Sequence, residues 1–176
     1  YALRKGSGLY RIVDLGNLRP GHDLEETHGR LKEVCRFLIE KNILPIIIGG
    51  SHDLDLAQFL AYEDLDKLVS VLNVDAYMDM EEYADEEQKK HIHKMMVHDP
   101  NFLFHYSHLA YQSYLVDHNV PQVLELLYFE THRLGKIRHN FTEIEPVIRN
   151  ADMLSFDFCA IRSSDAPGSI HVQPFG

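Results

Sequence analysis

"LVSVLNVD", residues 68–75, is a nearly unbroken apolar run that ends on an acid. A strand with one wet face alternates apolar and polar side chains, whereas a strand buried on both faces does not. The run therefore predicts a strand inside a parallel sheet, with Asp75 at its carboxyl end. "LPIIIGG", residues 44–50, has the same character and stops on two glycines. "DMLSFDFCAI", residues 152–161, is a third such run and carries Asp157 within it. The expectation is that PIIIG, VSVLNV and MLSFDF are all central strands.

Helical patterns lie between these runs. In "LEETHGRLKEVCRFLIEKN", Leu31, Val34, Cys35, Leu38 and Ile39 recur at helical spacing. Asp23 stands where it can cap that helix, with two glutamates in the first turn. "HDLDLAQFLAYED", "VPQVLELLYFE" and "TEIEPVIRNA" read as further helices, and residues 85–96 as partly helical or loop. Shorter strands are expected near residues 9–16, 107–111 and 132–134. Strands alternating with helices imply an α/β fold with a mostly parallel sheet.

The 176 residues suit a single domain spanning 1–176. With a first residue other than Met, the chain is expected to be a fragment or a trimmed form. The net charge of -10 opposes a nucleic-acid surface, which needs a basic stripe. No apolar run approaches the roughly 20 residues of a membrane span. With no signal peptide in view, the two cysteines, Cys35 and Cys159, read as free thiols of a cytoplasmic protein.

Parallel sheets bind ligands beyond the carboxyl ends of their strands. Three clusters fall there: Ser51, His52 and Asp53; Asp75 to Asp79; and Asp157 to Asp165. Alternation in an extended chain places Asp75, Tyr77 and Asp79 on one side, and Asp157 with Cys159 on another. Two glycines before His52 let the backbone turn and bring its imidazole over the rim. Three carboxylates and one imidazole meeting there would repel one another without a divalent cation. Carboxylate-dominated sets of this kind favour Mn²⁺ over Zn²⁺. Asp53 and Asp55 read as helix-capping acids.

"GGSHD", "DAYMD" and "SFDFCAIRSSDAPG" resemble, in order and approximate spacing, the three metal-binding motifs of the ureohydrolase family of arginase, agmatinase and formimidoylglutamase. The resemblance spans residues 49–168 and is nearest to a formimidoylglutamase-like member. It implies a three-layer α/β/α sandwich, cut short at the carboxyl end. It also implies a metal-activated water that attacks a guanidino or formimino carbon. His52, Asp75, Asp79 and Asp157 match the four donors of the first Mn²⁺ ion. Tyr77 and Cys159 stand where the second ion would take a histidine and an aspartate, so that second site is damaged. Cys159 as a thiolate would partly restore it. Histone-deacetylase-like enzymes share the fold, but the D-x-H set they need is the one altered here.

The family also places a loop histidine soon after the second motif, a position that His93 or His91 fills. His93 and Asp157 are thus the expected catalytic groups. Arg162 offers a bidentate contact to a substrate carboxylate. The remaining histidines read as surface or core residues. No GxGxxG or GxxxxGK[ST] run supports a nucleotide binder. The expectation is a C–N hydrolase of a small formimino or guanidino compound, with formimidoylglutamate a candidate; the alternative is an inactive relative that binds a metabolite or partner. A sheet cut short would leave an open edge and favour homo-oligomers.

Overall fold

The computed structural model describes residues 11–168. Its four strands are β1 (Val69–Val74), β2 (Leu103–Tyr111), β3 (Glu130–Arg133) and β4 (Met153–Phe156). They form one sheet in the order β3-β2-β1-β4, and every pairing is parallel. The helices are α1 (Leu24–Glu40), α2 (Leu54–Glu63), α3 (His91–Val97), α4 (Asn119–Leu126), α5 (Leu134–His139) and α6 (Glu145–Arg149). Short 3₁₀ turns sit at Glu87–Lys89, Phe141–Ile144 and Phe158–Ala160.

The side-chain alternation of β1 builds the layers. Val69 and Val71 point to one face, where Phe59 and Tyr62 of α2, Ile92 and Met95 of α3 and Leu124 of α4 cover them. Leu72 points to the other face, against Leu109, Ile137 of α5 and Ile144. Helices on both faces of a parallel sheet make the three-layer α/β/α sandwich. Helix α1 lies outside α2, packed through Leu31, Cys35, Ala57 and Ala61. Its start follows the expectation: the Asp23 carboxylate accepts from the Glu26 N–H at 2.8 Å. No helix among the described residues is long and apolar enough to cross a membrane.

Two of the three expected central strands are corrected. VSVLNV is β1, flanked by β2 and β4. MLSF is a strand, but β4 pairs with β1 alone among the described residues and so forms the sheet edge. PIIIG pairs with nothing among the described residues: residues 43–48 belong to no strand, and Ile48 is 91% exposed. β-branched residues favour extended backbone, but a strand exists only where a neighbour completes its hydrogen bonds. Residues 11–16 likewise form no strand, while positions 9 and 10 lie outside the described residues. Leu134 starts α5 rather than ending β3. β4 stops at Phe156, so Asp157 lies just past the strand instead of inside it.

Candidate metal centre

Backbone hydrogen bonds carry the ladder one residue beyond the strands. The Asp75 N–H donates to Leu109 O at 3.0 Å, and the Asp157 N–H donates to Val74 O at 2.9 Å. Asp75 and Asp157 are thereby held side by side at the carboxyl rim. The loop that precedes α2 delivers His52 to the same place. Gly50 makes this turn possible: its φ is +86°, and a Cβ there would meet Leu54 Cδ1 at 2.2 Å.

His52 is the hub. Its Nδ1 lies 3.2 Å from Asp75 Oδ2 and 3.4 Å from Asp79 Oδ2. Its Nε2 lies 3.7 Å from Asp157 Oδ2 and 3.4 Å from Ser155 Oγ. Donor atoms of His52, Asp75 and Asp157 all lie within 4.8 Å of one another. One imidazole facing several carboxylates is a donor set suited to a hard or borderline divalent cation.

The charges show what the arrangement demands. Burial pulls the His52 imidazole down, but hydrogen bonds to Asp75 and Asp79 outweigh it and hold the ring up at about 11. The carboxylates thus favour positive charge at this point, which a divalent cation among them would supply with the ring neutral. Burial raises the Asp75 carboxyl, yet His52, the Cys159 thiol and the Tyr77 N–H together bring it below the ordinary range. At Asp79 burial prevails and the carboxyl is raised.

Local geometry departs from simple alternation. The chain bends at Ala76 and Tyr77, where the Tyr77 N–H donates to Asp75 Oδ1 at 2.8 Å, and Asp79 takes φ +42°. Asp157 precedes a 3₁₀ turn and accepts the Cys159 N–H at 2.6 Å. That turn aims the buried Cys159 thiol at Asp75 Oδ1, 2.7 Å away, as a donor. Burial, and next the Asp75 charge, push this thiol well above its ordinary range.

Of the two candidate histidines, His91 is the one that faces His52. His91 begins α3, with its ring centroid 5.0 Å from that of His52 and its Nδ1 3.9 Å from Asp79 Oδ2. Among the described residues no ion pair or hydrogen bond joins His93 to this cluster. Arg162 is exposed and faces Asp165 of its own loop at 3.8 Å.

Asp53 and Asp55 do not cap α2. Asp53 occupies the cap position but makes no side-chain capping bond. It accepts from the Ser51 hydroxyl and lies 2.6 Å from His28 Nε2, which ties α1 to the His52 loop. Asp55 turns inward instead. His108, one of the histidines read as surface or core, is fully buried, and its Nε2–H donates to the Asp75 carbonyl at 3.1 Å while the Tyr106 hydroxyl meets Nδ1 at 2.9 Å. Its place inside the apolar "LFHYSHLAY" strand was the available signal.

The chain resembles known proteins along its length. The family model described as "Arginase family" matches residues 1–176. A formimidoylglutamase of Geobacillus sp. (strain WCH70) is 25% identical over 180 residues, covering 94% of this chain and 54% of that protein. The crystal structure of formimidoylglutamase from Bacillus subtilis subsp. subtilis str. 168 superposes with a TM-score of 0.77 at 19% identity, covering 93% of this chain and 55% of that one. Trypanosoma cruzi formiminoglutamase, crystallised with Mn²⁺, gives 0.78 at 20% identity, with 89% and 56% covered. The chain thus spans about half the length of the curated relatives it matches.

Proposed function

The chain belongs to the arginase family, and from that premise we propose that it hydrolyses the C–N bond of a small formimino or guanidino compound, formimidoylglutamate being the leading substrate. The observation that carries this reading is His52 held within 3.7 Å of Asp75, Asp79 and Asp157, three carboxylates from two separate segments. His52, Asp75, Asp79 and Asp157 would hold one Mn²⁺ ion. Bound there, the ion would acidify water and polarise the substrate.

The chain's own residues do the rest. Asp157, whose side chain is 30% exposed, is the most open of the donors and would take a proton from the attacking water. The Asp75 carboxylate is fixed by the Tyr77 N–H and the Cys159 thiol, so it keeps its orientation. Arg162, on the rim, offers its guanidinium to a substrate carboxylate. Water adds to the formimino or guanidino carbon, the C–N bond to the amine breaks, and the amine leaves with a proton. Formamide or urea is the second product. The same proposal includes a cytoplasmic location and association of like chains.

A second reading is a non-catalytic relative with one metal. It is favoured by Cys159, a protonated thiol hydrogen-bonded to Asp75 where the family has a carboxylate. Purified protein with Mn²⁺ and formimidoylglutamate separates the two. Formamide release that is abolished by Asp75→Asn supports hydrolysis. Bound Mn²⁺ without release of formamide or urea from any ureohydrolase substrate supports the second reading. Restoring Tyr77→His with Cys159→Asp should then raise Mn²⁺ from one ion per chain toward two.

A further inference from the structure

Beside the carboxylate cluster, two side chains that the three motifs do not supply turn buried polar atoms toward each other. His91 is 1% exposed and begins α3, and Asp55 lies in the first turn of α2. The Nδ1–H of His91 is committed to the Gln88 carbonyl at 2.7 Å. A neutral ring with its proton there presents a lone pair at Nε2. That lone pair lies 3.6 Å from Asp55 Oδ2. Neither atom has a hydrogen-bond partner among the described residues. Two buried acceptors pointed at each other are a costly pairing unless something positive stands between them.

We infer that His52, Asp55 and His91 form a second divalent-cation site, selective for Zn²⁺. One donor atom from each of the three residues lies within 4.8 Å of the others. A tetrahedral Zn²⁺ with bonds of about 2.0–2.2 Å holds its donors roughly 3.4 Å apart, close to the Asp55–His91 separation. Two imidazoles and one carboxylate suit Zn²⁺ better than Mn²⁺, and three protein ligands leave a fourth position open. The His52 ring stands at both clusters and has two nitrogens. The Gln88 carbonyl orients the His91 ring, as the partners of ligating histidines commonly do. The inference does not rest on the hydrolase reading: it shares His52 with the carboxylate-rich set, but Asp55 and His91 are its own.

The test is Zn²⁺ binding by the purified chain, read by calorimetry and by anomalous diffraction at the zinc edge. The expected result is an anomalous peak within bonding distance of Asp55 Oδ2 and His91 Nε2. Asp55→Asn and His91→Gln should each weaken Zn²⁺ binding at least about tenfold. Asp157→Asn should leave that peak in place. Metal-free Asp55→Asn should fold and melt close to the native chain, since an amide of nearly the same shape removes a desolvated charge. A zinc peak confined to Asp75 and Asp157, or Zn²⁺ affinity lost in Asp157→Asn but kept in Asp55→Asn, overturns the site. So does a native crystal soaked in Zn²⁺ that shows no peak between Asp55 and His91, because a proton then fills the gap. Failure of the hydrolase reading would appear elsewhere, as bound metal without turnover.

Discussion

Residues 43–50 and residues 68–75 are close to interchangeable as sequence. Both are short β-branched runs, both end at a turn, and both lead into a segment that supplies the cluster, His52 in one case and Asp75 in the other. The structure treats them as opposites. β1 has a parallel neighbour on each side, and Leu72 is 0% exposed. Ile46 and Ile48 pair with nothing among the described residues and stand 71% and 91% exposed. The difference is not intrinsic preference but company: a strand is stabilised by the ladder on its flanks and the helices on its faces. The lesson reaches the site, because one wall of it stands on a closed sheet and the other on an open segment. His28 on Asp53 compensates by tethering the His52 loop to α1.

The contrast can be broken at its strongest point first. Leu72→Ala removes a fully buried side chain between β2 and the α5 face, and it should cost about 2–5 kcal/mol in urea melts. A loss no larger than that of a surface change would mean that β1 is not the centre of the sheet. Metal should then join the two walls. At about 100 times its Kd, Mn²⁺ should stabilise the fold by roughly 2.7 kcal/mol. Asp157→Asn should keep the fold and lose most of that gain in paired thermal melts. An unchanged metal response would remove Asp157 from the donor set.

Acid should act on the closed wall. Burial lowers the His108 imidazole to about 4, from 6.5 in the unfolded chain. A depressed folded value means that stability is fully present above 6.5 and is lost as pH falls through about 4. The slope approaches roughly 1 kcal/mol per pH unit within that window. His108→Gln should flatten that slope in denaturant titrations at stepped pH. An identical slope would show that other groups govern acid unfolding.

The smallest effect belongs to the open wall. Ile48→Ala should change stability by no more than about 0.5 kcal/mol, as for other exposed positions. In native-state hydrogen exchange, amides 46–48 should exchange far faster than those of Val71 and Leu72. Protection equal to that of β1 would mean that these residues are paired in solution.

Much of the fold was legible along the chain. The apolar run into Asp75, the α1 periodicity, the Asp23 cap and the glycines before His52 all act locally, through side-chain alternation, helical spacing and permitted φ, so they are readable without neighbours. The three motifs likewise ordered His52, Asp75, Asp79 and Asp157 along one rim. Three things lay out of reach. Asp157 falls outside β4 because the strand's length depends on where β1 stops pairing with it. Asp55 and His91 meet because α2 and α3 pack together, and no spacing along the chain encodes that encounter. PIIIG reads as a central strand by composition alone, yet its amides find no ladder, since hydrogen-bond partners come from segments distant in sequence. Local rules choose what a segment prefers to be; the positions of its neighbours decide whether that preference is met.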